Sequence, residues 1–144
     1  MNLTQHFTLE EMTASQTAAR MGLSNEPSDA QQAALKKTAE LLEVVRAALG
    51  SKPMTITSGY RSPEVNQAVG GVGHSAHMDG MAADFICPSF GTPLEICRAL
   101  ASRQPALEFD QLIHEYGQWV HIAWGNPQRR QVLTIDRNGT RQGL

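Results

Sequence analysis

Residues 109–136 read FDQLIHEYGQWVHIAWGNPQRRQVLTID. Three runs within them, Phe109–Glu115, Trp119–Trp124 and Gln131–Asp136, are rich in β-branched, leucine and aromatic residues, the composition of strands. The link Tyr116-Gly117-Gln118 is short enough to fold the first two into a hairpin, and Asn138-Gly139 marks a further turn. Upstream, Ala82–Cys87 reads as a strand, and Met54–Thr57 is a short β-type run after Pro53.

Helical signals precede and interrupt these strands. Thr8-Leu-Glu-Glu11 has the spacing of a capping box and starts a short helix near residue 9. The segment from there to about Asn25 is polar and small-residued, and is expected to be half-ordered. Ser28 is placed to cap a long helix over Asp29–Leu49, ended by Gly50. Leu35, Ala39, Leu42, Val45 and Leu49 recur at three- and four-residue steps, so this helix buries one stripe. Ser62-Pro63 opens a short helix that Gly70-Gly71 ends, since proline suits the first helical position. Residues 70–81 form a loop rich in Gly, His and Ser, and Thr92-Pro-Leu-Glu95 caps a helix running to about Ser102. This order gives an α+β fold: an antiparallel β-sheet packed against helices, in a single domain over residues 1–144.

The chain has 144 residues, 41% of them hydrophobic and 18% charged, with 12 Lys and Arg against 14 Asp and Glu. That is enough apolar matter for a core, and the near balance of charge gives no reason to expect nucleic acid as a partner. No run approaches the ~18 apolar residues of a membrane span, so membrane insertion is not expected. The start, MNLTQHFTLEEMTASQ, lacks a basic segment followed by an apolar run, so synthesis in the cytoplasm without a signal peptide is expected. Two Cys make neither a disulfide framework nor a four-thiolate metal site, and Cys87 and Cys97 read as reduced core thiols. A metal, if held, must be held by the five His and by carboxylates.

The densest chemistry lies in Ser75-Ala-His77-Met-Asp-Gly80-Met-Ala82-Ala-Asp84. His77 sits in the glycine-rich loop, Asp84 in the strand after it, and His121 in the later strand Trp119-Val-His-Ile-Ala. Two imidazoles and a carboxylate match the ligand set of a hydrolytic zinc site, which takes three protein ligands and keeps one position open. The spacing alone is weak, because a His and an Asp seven residues apart also serve as a loop hydrogen bond.

The wording around these residues is more specific. Ser58-Gly-Tyr-Arg61-Ser, then Asn66, Gly70-Gly71, Ser75-x-His77-x-x-Gly80-x-Ala82-x-Asp84 and Trp119-Val-His121 resemble the M15 family of zinc peptidases, over about residues 54–124. That family includes D-alanyl-D-alanine carboxypeptidases, dipeptidases and phage cell-wall endopeptidases, and the chain looks most like its small, single-domain, phage-type members. The resemblance implies a hedgehog/DD-peptidase-like fold and one Zn²⁺ held by His77, Asp84 and His121. It implies that Arg61 binds substrate and stabilises developing oxyanion charge, against the alternative of a bridge to Glu64. Ser75 is open between hydrogen-bonding substrate and shaping the loop.

A metallopeptidase also needs a carboxylate that takes a proton from water and passes it to the leaving amine. Many members of the family carry an acidic residue three positions before the last His, where this chain has Gln118. Two carboxylates can substitute. Glu115 ends the strand just across the turn from Trp119 and is favoured; Asp110, at the start of that strand, is second. Alternation puts the two on opposite faces, so a regular strand can aim only one at the metal. His74 is the rival ligand, His114 competes with Glu115 for the inward face, and His6 is expected to be solvated. Trp119 shares the face of His121 and either walls the site or packs in the core, while Trp124 lies on the other face.

These readings make a zinc-dependent peptidase of bacterial peptidoglycan the first expectation, as a D-alanyl-D-alanine carboxypeptidase or endopeptidase. The peptidoglycan stem peptide would be the partner and the chain a monomer. It would reach the wall by phage-type release, as an endolysin, or as part of a virion. The alternative, motivated by Gln118, is a catalytically impaired zinc- or wall-binding phage module.

Overall fold

The computed structural model describes residues 1–144. In chain order it has helices α1 (Leu9–Thr13), α2 (Gln16–Met21) and α3 (Asp29–Ala48), strand β1 (Thr55–Ser58) and helix α4 (Pro63–Ala68). A 3₁₀ turn (Ala76–Asp79) leads into β2 (Ala82–Ile86), then α5 (Pro93–Ala101) and β3 (Gln111–Glu115). Strands β4 (Trp119–Ala123), β5 (Gln131–Asp136) and β6 (Gly139–Gln142) complete it. The fold class is α+β. No helix is long and apolar enough to cross a membrane.

The predicted caps form as their chemistry requires. At α1, α3 and α5 the side chains of Thr8, Ser28 and Thr92 accept from the backbone N–H three residues on, and Glu11, Gln31 and Glu95 answer the cap backbone. The predicted α3 stripe of Leu35, Ala39, Leu42, Val45 and Leu49 is completely buried. It packs with Phe85, Ile96, Leu100, Phe109, Leu112 and Ile122 in one continuous core. Cys87 and Cys97 are free thiols buried in that core, and burial pushes the Cys97 thiol up to about 12.

The six strands form one sheet in the order β1-β2-β4-β3-β5-β6. An antiparallel sheet is expected from the sequence, and one pair departs from it: β3 and β5 run parallel. The cause is topological. The β3–β4 hairpin leaves β4 flanked by β2 on its other side. A strand that follows β4, runs against it and pairs at the free edge of β3 points the same way as β3.

Two elements escape the sequence reading. Residues expected to be half-ordered form α2, capped by Ser15 and ended by Gly22 at φ 67, with Ala18 buried. Beyond the Asn138-Gly139 turn the chain continues as β6, whose four residues are all exposed.

Alternation divides the sheet into two faces. Ala83, Phe85, Leu112, Val120 and Ile122 enter the core. Asp84, Glu115, Trp119 and His121 lie between them in sequence and so face the other way. That second face, bordered by the segment from Gly59 to Gly80 that includes α4 and the 3₁₀ turn, carries the candidate site.

Candidate metal centre and peptidase site

Strand register makes the first contact. Asp84 on β2 stands directly opposite His121 on β4, and His121 Nδ1 lies 2.9 Å from Asp84 Oδ1. The third group comes from the 3₁₀ turn. Ser75 caps that turn by accepting from His77 N–H at 3.2 Å, and Gly80 ends it in the left-handed region at φ 74. The turn swings His77 Nε2 to 3.2 Å from Asp84 Oδ1. The two imidazoles meet edge to face at 5.1 Å between ring centroids.

Second contacts fix the orientation of each ring. Gly59 carbonyl lies 2.7 Å from His77 Nδ1. A carbonyl only accepts, so Nδ1 carries a proton and Nε2 is the ring atom left to ligate a metal beside Asp84. A Cβ on Gly59 would stand 2.1 Å from the Met12 carbonyl oxygen, so glycine is required for this close approach. Behind the turn, Thr38 of α3 donates to the Gly80 carbonyl at 2.6 Å and accepts from Trp124 Nε1 at 2.8 Å. The long helix thus braces the loop that joins His77 to Asp84.

All three groups are buried, and their ligand atoms lie within 4.8 Å of one another. Tetrahedral coordination with bonds of ~2.0–2.1 Å places neighbouring donors roughly 3.3–3.4 Å apart. The two measured separations from Asp84 Oδ1, 3.2 and 2.9 Å, fall close to that spacing. The donor set and these two separations fit a single Zn²⁺. Burial alone would raise the Asp84 carboxyl, but the two histidines hold it well below the usual carboxylate range. Burial would lower the His121 imidazole, but the Asp84 hydrogen bond and charge outweigh it and move it up.

Glu115 reaches the same cluster from β3, with Oε1 3.7 Å from His121 Nδ1. Burial, then the Asp84 charge, raises its pKa, the direction a general base working near neutrality requires. Asp110 does not approach the cluster. It precedes β3 and takes two bonds from the Arg129 guanidinium, at 2.7 and 2.8 Å. The sequence places it as the second base candidate; its partner lies 19 residues away and was not legible there. Gln118 is exposed in the β3–β4 turn, so in this fold position 118 is not the one that faces the cluster.

Arg61 also points into the site rather than toward Glu64. Its Nη2 donates to Ser75 Oγ at 3.3 Å, its Nε is buried without a partner, and the charges of Asp84 and Glu115 oppose the downward pull of burial. Ser75 thus has a loop-shaping role through two accepted bonds, and its own hydroxyl proton is left for another acceptor. Trp119 lines the cleft beside Arg61 and Asp84, with its buried indole N–H turned toward the Glu115 carboxylate.

The other histidines stand apart. His74 is exposed and 3.3 Å from Asp79. His114 is affected by burial and by Arg141, away from the cluster. His6 is exposed, as expected, and also meets Glu43 Oε1 at 2.7 Å at the surface. Trp124 binds Thr38 and carries Lys37 over its ring at 5.3 Å.

The family model described as Peptidase M15 matches residues 5–123, which includes every residue of this cluster. The chain belongs to the peptidase M15 family. It is similar to the zinc D-Ala-D-Ala carboxypeptidase of Streptomyces albus G, 46% identical over 50 residues. That match spans 35% of this M15 chain and 20% of the relative, so the chain covers about a fifth of the length of the curated protein it matches. Sequence reasoning missed the supports of the M15 site: Thr38, the Gly59 carbonyl and the Ser75–Arg61 bond. Gly59 and Ser75 stood in the motif, but their partners lie far off along the chain. Thr38 had a faint signal as the one hydroxyl flanking the apolar stripe of α3.

Proposed function

We propose that this chain is a zinc-dependent peptidase that hydrolyses peptide bonds of bacterial peptidoglycan, of the D-alanyl-D-alanine carboxypeptidase or endopeptidase type. One observation carries the reading: Asp84 Oδ1 lies between His77 Nε2 and His121 Nδ1, with the Glu115 carboxylate 3.7 Å from the latter. The substrate class rests on the M15 membership and on the similarity to the Streptomyces enzyme.

His77, Asp84 and His121 would hold the ion. Bound there, zinc supplies Lewis acidity that polarises the scissile carbonyl and makes water acidic enough to attack near neutral pH. Glu115 takes the proton from the attacking water and returns it to the leaving amine, and its raised pKa suits both halves of that transfer. Arg61 is a fixed cation with a planar fork of donors, and its unpartnered Nε is available to the oxyanion as charge develops. Ser75 keeps Arg61 in place through the 3.3 Å bond and offers its hydroxyl to the substrate backbone.

The test joins metal analysis to product mass spectrometry on purified peptidoglycan. About one equivalent of zinc, with released peptides that define the cut bond, is the expected result. Glu115→Gln should keep zinc and lose activity by about 10²–10⁴-fold, whereas His121→Ala should lose both. Protein that takes up no zinc, or that takes it up and cuts no wall, refutes the proposal; the latter result selects an impaired binding module instead.

A further inference from the structure

β1 forms one edge of the sheet, with β2 on its only paired side. Beside it opens a cleft of about 630 Å³. All four consecutive residues Thr55, Ile56, Thr57 and Ser58 line that cleft. Side chains of a strand point alternately to opposite faces, and Ile56 packs against the core while Thr55 and Thr57 are exposed. The register with β2 shifts between Ile56 and Ser58, leaving Thr57 as the extra residue of a bulge; even so, Ile56 faces the core between Thr55 and Thr57, so four residues in succession cannot come from one face and the wall of the cleft is the edge of β1 itself. Ala14 and Ser15, which link α1 to α2, and Gln16 and Thr17 in the first turn of α2 also line it.

The edge is open. Thr55–Ser58 make no backbone hydrogen bond beyond the sheet ladder, whereas two residues later Tyr60 N–H donates to the Met12 carbonyl at 2.7 Å. An edge strand turns alternate N–H and C=O groups outward, and these bind an extended chain laid beside them. The edge also leads to the chemistry. Ser58 is the register partner of Asp84, the Gly59 carbonyl holds His77, and Arg61 follows two residues on. Four strand residues span ~13 Å, enough for three or four residues of an extended peptide. Arg61 and Asp84 are the only charged residues lining the cleft, so away from the cluster its polar groups are uncharged, as suits peptide main chain.

We infer that the peptide flanking the cut bond binds in this cleft as an added strand on the edge of β1, with the bond itself delivered at the Ser58 end. The inference rests on the peptidase reading and supplies its mode of substrate recognition. It also suits a wall peptide, because amide groups remain available for pairing whatever the chirality at each Cα. Main-chain pairing fixes the extended conformation, and the side chains that read identity are those at the Arg61 end.

Amide hydrogen exchange followed by nuclear magnetic resonance tests it. The probe is a mixture of soluble stem peptides released from purified peptidoglycan, added to zinc-loaded Glu115→Gln protein so that it stays uncut; wild-type protein receives the same mixture in a cleavage assay. The expected result is at least tenfold slower exchange at outward-facing amides within Thr55–Ser58, with cleavage by the wild type. Cleavage by the wild type while exchange slows only elsewhere, for example around Arg61 and Ser75, overturns strand addition and leaves the peptidase reading standing. If the peptides neither slow exchange anywhere nor are cut, both fall.

Discussion

Thr38→Val removes one oxygen from a helix 39 or more residues from the cluster it supports, and its effect follows from three distances. Thr38 Oγ1 lies 2.6 Å from the Gly80 carbonyl, 3.1 Å from that of Ala34, and 2.8 Å from Trp124 Nε1. A hydroxyl has one proton, and the shorter contact assigns it to Gly80. Valine keeps the branched shape but puts a methyl group where a carbonyl oxygen sits at hydrogen-bond range, too close for carbon. Gly80 must therefore move away, and its carbonyl loses its donor. Two hydrogen bonds at about 1 kcal/mol each, plus part of the ~1–3 kcal/mol cost of an unpaired buried group, give a loss of about 2–4 kcal/mol. For a domain of this size that is a fall of roughly 5–15 °C in Tm.

Position matters as much as size. Gly80 ends the turn that carries His77 and leads into β2 with Asp84, so its movement changes the angle between two of the proposed zinc ligands. Zinc affinity should fall about 10–100-fold, as it does when supporting contacts of a metal site are lost. Thermal unfolding in chelator measures the first effect, and competition with a chromophoric chelator the second. Thr38→Ser retains the hydroxyl and loses only a methyl group, so it should cost about 1 kcal/mol and leave zinc affinity unchanged. A valine variant within 0.5 kcal/mol of wild type, or one destabilised with wild-type zinc affinity, would show that α3 does not brace the site (a threshold of roughly half the smallest net hydrogen-bond contribution used here).

Further predictions concern other parts of the same construction. Gly59→Ala brings a Cβ to 2.1 Å from the Met12 carbonyl; it should cost at least the ~1–3 kcal/mol of overpacking and weaken zinc binding, whereas Gly73→Ala, which meets nothing within 4 Å, should leave Tm and zinc content unchanged. Zinc affinity should fall steeply as pH drops through neutrality, because the His121 imidazole, raised by Asp84 against the effect of burial, takes up a proton that competes with metal; affinity flat from pH ~8 to ~6, across the ordinary histidine range, would count against imidazole ligands. The Asp110 carboxyl is held below its ordinary value by hydrogen bonds from Arg129, so its contribution is present above the unfolded pKa of ~3.9 and lost as pH falls through the folded value. Arg129→Ala should accordingly lower the urea midpoint at neutral pH, lose that difference in acid, and leave peptidase activity intact; lost activity would return Asp110 to the candidate bases.

What could be read from the sequence was what depends on near neighbours or on a regular period. Caps close over three residues, the α3 stripe repeats at helical spacing, and alternation along β2 and β4 is enough to put Asp84 and His121 on faces of their strands. The direction of β5 was not readable, because it is set by β2 occupying the far side of β4, a pairing between residues 82–85 and 120–123. Strand β6 is all exposed and α2 buries a single alanine, so neither writes an apolar pattern. The supports of the cluster were illegible for the same reason: Thr38 to Gly80 and Gly59 to His77 are pairings across folded space, separated by 42 and 18 residues.

The question of position 118 shows how the two kinds of information combine. Counting three residues back from the last histidine lands on a glutamine and suggests a site without a base. That count assumes a particular turn. Here Glu115 and Trp119 are register partners closing the hairpin, so residues 116–118 are the turn itself, and Tyr116 and Gly117 take the positive φ values of 56 and 65 that reverse the chain. A side chain within such a turn faces solvent, as Gln118 does. The carboxylate able to approach His121 must then come from the last strand residue before the turn, on the face shared with His121. Glu115 meets both conditions; His114 has the wrong face and Asp110 lies outside the strand, bound to Arg129. The sequence departure at Gln118 is therefore a matter of where the hairpin turns, and the capacity for proton transfer should be judged at Glu115.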